Sequence, residues 1–329
     1  QGKMSDAERR TTVERVATVL ADCLRQANET MNWTRVRSDV PHGWAVSELA
    51  RTEANPATRC ALWLEMGRYY LEQGEPHAAA RWLEEAYTAG VEAFGEHHLM
   101  VARCLRDLSW AEQMRGEPEK ALTHQRQALA LAESLLPPHD VTLAEFYNYM
   151  GYILKMQGFY EDALPYYQRA LAMQEAAHGT EHPEVATSRT NIGMLWLARG
   201  DPNTALRFLH DALRIYQTTY GDQHKTVAIL LNNIGQALVQ QGAPHEALTY
   251  HQQALEIYQL TYGAYHLFTA YTHRFIADAL RALGAEADAR QHYQSALRIL
   301  EHLLGGDHPR CHELRTALTP AASPPTPES

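Results

Sequence analysis

"NNIGQALVQQG", residues 232–242, is the stretch on which the fold turns. It reads as a short helix with one glycine, Gly235, in its body and a second, Gly242, where it stops. The same outline stands upstream as "TNIGMLWLARG" (190–200) and "NYMGYILKMQG" (148–158), which sets a period of 42 residues. Continued both ways, the period yields six copies without an insertion. The mid-helix place holds Gly67, Ser109, Gly151, Gly193, Gly235 and Ala277. Seven residues on come Gly74, Gly116, Gly158, Gly200, Gly242 and Gly284, with no exception. Alanine holds two further columns, Ala79, Ala121, Ala163, Ala205, Ala247, Ala289 and then Ala86, Ala128, Ala170, Ala212, Ala254, Ala296. A last column of Gly95, Gly179, Gly221, Gly263 and Gly305 is broken only by Pro137. A fixed period of this length signals a stack of supersecondary units.

Each copy reads as two antiparallel helices. The first ends at the second glycine, where a left-handed residue closes a helix at least cost. Proline follows two residues later in four copies (Pro76, Pro118, Pro202, Pro244) and opens the second helix, where its missing N–H does no harm. Asp201 in "GDP" is placed to cap that helix. The second helix then runs about 19 residues, roughly 28 Å at 1.5 Å per residue. A glycine inside a helix is about 1 kcal/mol worse than alanine, so its recurrence implies a compensating gain. The expectation is close approach of the second helix, with its small alanines facing the glycine.

These offsets, with Trp63 and Tyr70 in the aromatic places, resemble the tetratricopeptide repeat. The length beyond the usual repeat of about 34 residues and the "GTEHPEVAT" connector (179–187) are similar to the long variant in kinesin light chains. The resemblance covers about residues 55–317. It implies an all-α, right-handed superhelical solenoid of antiparallel helix pairs, with the first helices lining a concave groove. The expected organisation is a non-repeat helical cap over 1–54, six repeats over 55–307, a closing helix over 308–318 and a disordered tail over 319–329. In the cap, "SDAERRTTVERVATVLADCLRQ" reads as a helix that Ser5 or Asp6 can cap, and "VPHGWAVSELA" (40–50) as another. Trp33 and Trp44 are expected to pack on the first repeat, because the end of an array must cover an apolar face. The "AERR" helix, the tryptophan and the "PH" opening are also similar to the repeat-bearing half of bacterial STAND (NB-ARC-type) signalling ATPases. That likeness implies a sensor role; a free-standing repeat adaptor and a self-assembly element are the alternative readings. With no GxxxxGK[ST] here, any ATPase module would lie outside this sequence.

A net charge of −10 speaks against general binding to nucleic acid or to anionic membranes. The four cysteines stand far apart without a CxxC pair, as reduced thiols in a cytoplasmic protein do. No GxSxG, HExxH or phosphate loop is present, so no enzyme activity and no cofactor is expected. Five histidines share one column, His98, His182, His224, His266 and His308, with Asp140 in the sixth place. Successive repeats stand about 10 Å apart, too far for two column members to share a zinc ion with bonds of about 2 Å. The column is expected to organise the turn into each first helix by bonding to its backbone.

The resemblance places the groove at the positions three before and one and four after the mid-helix glycine. The first column reads Leu64, Arg106, Asn148, Thr190, Asn232, Arg274. The second is Arg68, Trp110, Tyr152, Met194, Gln236, Asp278, and the third Leu71, Gln113, Lys155, Leu197, Val239, Arg281. Arg103, one turn before Arg106, belongs with the same candidate surface. Trp110, Tyr152 and Met194 form an apolar stripe of partner-anchoring residue types, or else pack against the next repeat. Arg106, Lys155, Arg274 and Arg281 put positive charge on this face, and Asn148 and Asn232 carry amides able to bond a peptide backbone. The expected partner is a protein or extended peptide, acidic with an apolar anchor.

Overall fold

The computed structural model describes residues 5–30 and 40–319, which form fifteen helices and no strand. The expectations for Trp33 and for the tail beyond residue 319 fall outside the described residues. A leading pair, α1 (Asp6–Thr30) and α2 (Val40–Glu53), precedes the repeats. The first helices of the six copies are α3 (Pro56–Glu72), α5 (Leu99–Arg115), α7 (Leu143–Met156), α9 (Pro183–Ala198), α11 (Lys225–Gln241) and α13 (Leu267–Ala282). The second helices are α4 (Pro76–Phe94), α6 (Pro118–Leu135), α8 (Tyr160–His178), α10 (Pro202–Tyr220), α12 (Pro244–Tyr262) and α14 (Glu286–Leu304), and α15 (Pro309–Leu318) follows.

The chain divides into two compact units, residues 1–173 and 174–329, with the division inside α8. In the first, α1 packs on α2 and α3, and each helix from α3 to α7 lies against its successor up to α7. In the second, successive helices from α9 to α15 pack in the same way. First helices also touch one another within each unit, α3 with α5, α5 with α7, α9 with α11 and α11 with α13. This is a solenoid of helix pairs.

Local chemistry sets the helix ends. All six second-column glycines have positive φ, from 75° to 89°. At α1, Ser5 and Glu8 form a capping box, the Ser5 N–H donating to Glu8 at 2.8 Å and the Glu8 N–H to Ser5 Oγ at 3.3 Å. Asp201 caps α10 by accepting the Thr204 N–H at 3.0 Å. Trp44 docks on the first repeat, its ring edge-on to Trp82 at 5.1 Å and its Nε1–H donating to the Tyr70 hydroxyl at 2.6 Å.

The column of histidines does the work expected of it. His98, His182, His224, His266 and His308 each accept the backbone N–H two residues on through Nδ1, at 3.1 to 3.3 Å. Asp140, the one member of the column that is not histidine, accepts the Thr142 N–H at 2.9 Å.

The mid-helix glycine requires a correction. What fills its space is mainly one large side chain sixteen residues on, not the alanines: Leu83 over Gly67, Tyr167 over Gly151, Leu209 over Gly193 and His251 over Gly235. The alanines matter through their backbone, since the Ala205 carbonyl oxygen would lie 3.2 Å from a Cβ on Gly193. Where Ser109 replaces glycine, the facing residue is Gln125 and the two hydrogen-bond at 3.0 Å.

Candidate partner-binding cleft

A cleft of about 610 Å³ in the first unit is lined by α1, α3, α5 and α7. Thr18, Ala21, Asp22, Arg25 and Asn28 come from α1, and Ala61, Leu64, Glu65 and Arg68 from α3. Met100, Arg103, Arg106 and Trp110 come from α5, and Glu145 and Tyr149 from α7. Residues at i, i+3 and i+4 share a helix face, and Arg103, Arg106 and Trp110 follow that spacing. Relative to the mid-helix place, the lining recurs at six, three or two before and at one after, with Ala57, Thr58 and Met100 nine or ten before and Glu72 five after. The column four after it (Leu71, Gln113, Lys155) does not reach the cleft, so the predicted face is rotated toward the N-terminal side of each helix.

The floor is a closed ion network. Asp107, 1% exposed, accepts from Arg68 Nε at 2.6 Å and from Arg106 Nε at 2.7 Å. Arg106 also pairs with Glu145, and its guanidinium lies over the Tyr149 ring at 4.8 Å. Arg68 reaches Glu65 at 2.9 Å, and Asn28 of α1 donates to the same carboxylate at 2.6 Å. Burial works against the Asp107 carboxylate, but Arg106 and Arg68 more than offset it and hold the group below its usual range. Burial likewise opposes the charge of Arg106, and Asp107 overrides it, so this guanidinium stays above its usual range. Glu65 moves the other way, raised by burial.

Arg106 is therefore not the free groove cation that its column suggests. It is 4% exposed and neutralised by acids on its own and the next repeat. Arg103 differs. It is half-buried in the cleft wall, and its Nε is buried with no hydrogen-bond partner among the described residues. Trp110 lies two turns further along α5 in the same lining, edge-on to Tyr149 at 6.0 Å.

The other predicted residues are dispersed. In the first unit Lys155 lies over the Tyr152 ring at 5.4 Å, and burial pulls its ammonium below the usual range. Tyr152 and Asn148 are half-buried, each with an interaction of its own. In the second unit Asn232 is buried, donating to Thr272 Oγ1 at 2.8 Å and bonded through Oδ1 to His251 Nδ1 at 2.9 Å. Each end of its amide is engaged and the side chain is buried, which keeps it from a peptide backbone. Thr190 turns its hydroxyl onto the Ala186 carbonyl at 2.8 Å, and Met194 packs partly buried against the local core. Gln236 is half-buried. Arg274 pairs with Glu313 at 3.8 Å and Asp278 at 4.0 Å, Asp278 accepts from the Tyr293 hydroxyl, and Arg281 donates to the Ala317 carbonyl at 2.6 Å. Glu65, Glu145, Tyr149 and Arg25 were missed. Glu145 and Tyr149 stand one turn before the predicted Asn148 and Tyr152 on α7, which is a signal the sequence carried; Glu65 only adjoins Leu64, and Arg25 lies on α1, outside the repeat columns.

Comparison with known proteins matches this architecture. The tetratricopeptide repeat family profile matches residues 58–134, 142–218, 195–259 and 226–302. The chain belongs to the tetratricopeptide repeat family. Among solved structures, BtubC (BKLC) from P. vanneervenii is 24% identical with a TM-score of 0.54, over 73% of this chain and 94% of that one. A set of nearly identical TPR-like repeats from Podosopora anserina, assigned to a kinesin light chain type, is 18% identical with a TM-score of 0.51, over 63% and 98%. The Rap protein solved with competence and sporulation factor is 11% identical with a TM-score of 0.58, over 93% and 99%. At these identities the likeness shows a shared fold, which includes kinesin-light-chain-like repeat proteins. No curated protein matches the sequence significantly. Among the described residues, no helix is long and apolar enough to cross a membrane.

Proposed function

We propose that this tetratricopeptide repeat protein is a non-enzymatic binding scaffold whose first-unit cleft takes an extended, carboxylate-bearing segment of a partner protein. The observation that carries this reading is Arg103, whose Nε is buried and unbonded in a cleft where the neighbouring arginines are already neutralised. A buried, unpaired donor is costly, and a turn of the half-buried Arg103 side chain that brings its fork into the cleft lets a ligand carboxylate satisfy it in bidentate contact. Trp110 and Tyr149 supply the apolar contact, in residue types that serve as anchors. Rap, a relative in fold, was solved with its factor bound, and Cut9 with Hcn1; partner binding by this chain is in keeping with both.

In finer form, the scaffold is the sensing part of a larger bacterial, cytoplasmic signal-transduction ATPase of the STAND class. The support for it is the likeness of the N-terminal helical segment noted above, and the coding sequence upstream tests it by containing or lacking a nucleotide-binding module. The binding reading is tested by selecting random peptides on the purified chain and on Arg103→Glu. Selection of acidic sequences by the wild type, lost in the variant, is expected. The same selected sequences from both, or none from either, overturns it. Self-assembly in place of ligand binding would show as concentration-dependent mass in light scattering.

A further inference from the structure

The segment "HGTEHPE", residues 178–184, carries two histidines four apart and a glutamate two beyond. His178 closes α8 and His182 caps α9, and their rings stack at 4.3 Å with planes 22° apart. Nε2 of His178 lies 3.3 Å from a Glu184 carboxylate oxygen. One potential ligand atom from each of the three residues falls within 4.8 Å of the others.

The repeat supplies its own control. At the place of His178 other copies have Phe94, Tyr220 and Tyr262, which stack on His98, His224 and His266 at 4.4, 4.5 and 4.1 Å. At the place of Glu184 other copies have Met100, Thr142, Thr226 and Phe268. Stacking and capping therefore need neither a second imidazole nor a carboxylate. One copy alone converts both places to metal-ligating side chains, and it does so beside the capping histidine.

We propose that His178, His182 and Glu184 bind one divalent transition-metal ion of the zinc class. Two imidazoles and a carboxylate are the donor set that zinc shares with nickel and cobalt, and one that calcium and magnesium do not favour. Bonds of about 2.0–2.2 Å require the three atoms to draw closer than they stand and the two stacked rings to part, because each imidazole holds an ion in its own ring plane. His178 and Glu184 are exposed and have the rotamer freedom to do so. The fourth position of a tetrahedral site goes to water. Binding is linked to the α9 cap, because His182 Nδ1 accepts the Glu184 N–H at 3.3 Å. An ion on Nδ1 replaces that bond, and an ion on Nε2 moves the ring proton to Nδ1, where it faces the same N–H. Either way the Glu184 amide is released.

The test is calorimetric titration of the EDTA-treated full chain with zinc chloride in a non-coordinating buffer. The variants are His178→Phe and Glu184→Thr, which borrow the residues of sister repeats and keep the stack and the turn. One equivalent of zinc is expected to bind, with affinity falling about tenfold or more in each variant, since even an outer partner of a metal ligand is worth that much. Faster hydrogen exchange of the Glu184 amide in the zinc-bound protein is the signature of the uncapped turn. Equal affinity and stoichiometry in wild type and the double variant would assign the binding to other histidines and overturn the proposal, as would no binding at all.

Discussion

The ring of Tyr167 stands 2.8 to 2.9 Å from the point that a Cβ on Gly151 would occupy. The ring is wholly buried, and burial pushes its hydroxyl above the usual range. It has no room to retreat. Gly151→Ala is expected to destabilise the protein by about 1–3 kcal/mol through overpacking, despite a propensity gain of about 1 kcal/mol. Gly158→Ala meets nothing within 4 Å but forces alanine to φ +82°, at about 1–2 kcal/mol. Urea unfolding in a double-mutant cycle with Tyr167→Ala separates the two causes. The Gly151 change should couple to Tyr167 and the Gly158 change should not.

Asp107 holds Arg68 and Arg106 together in the cleft floor. Asp107→Asn leaves two largely buried guanidinium groups short of a counter-charge, and a loss of about 3–5 kcal/mol is expected from denaturant unfolding. Its folded pKa is depressed. Its contribution is therefore present above the ordinary carboxylate pKa of about 4 and lost as pH falls below it. Chevron or equilibrium data at pH 7 and pH 3 check the sign.

His251 lies buried over Gly235, stacked on Phe275 at 5.6 Å, with burial lowering its pKa from the usual 6.5 to about 4. A depressed histidine favours the fold in its neutral form. Its contribution is whole above about pH 6.5 and lost as pH falls toward 4, because the unfolded chain takes up the proton first. His273 moves in the same direction, also to about 4, so the variant removes one share of a common effect. Unfolding free energies at pH 7 and 5 should fall by about 2 kcal/mol less in His251→Leu than in the wild type.

The capping histidines predict a rescue. His224→Ala removes the acceptor for the Thr226 N–H and should cost about 0.5–2 kcal/mol. His224→Asp should recover most of it, since Asp140 performs the same bond at the equivalent place. Thermal unfolding of the three proteins decides.

Much of this molecule was legible along the chain. The 42-residue period, the helix ends, the proline-opened second helices and the backbone-bonding histidines depend on contacts within two to five residues, or on φ at a single glycine, and residue type settles those locally. The cleft was only partly legible. Arg103 and Arg106 are chemically alike and one turn apart, and nothing in their columns separates them.

Tertiary structure made that distinction. Glu145, 39 residues away, and Arg68, the same distance back from Asp107, arrive beside Arg106 only when α3, α5 and α7 stack, leaving Arg103 unneutralised. The large residue over each mid-helix glycine is also set by how two helices cross. The sequence by itself determined that the chain is a row of repeated helix pairs and how each pair begins and ends. Folding alone decided which charges remain unpaired, because an ion pair depends on distance between helices and a column of letters carries no such distance.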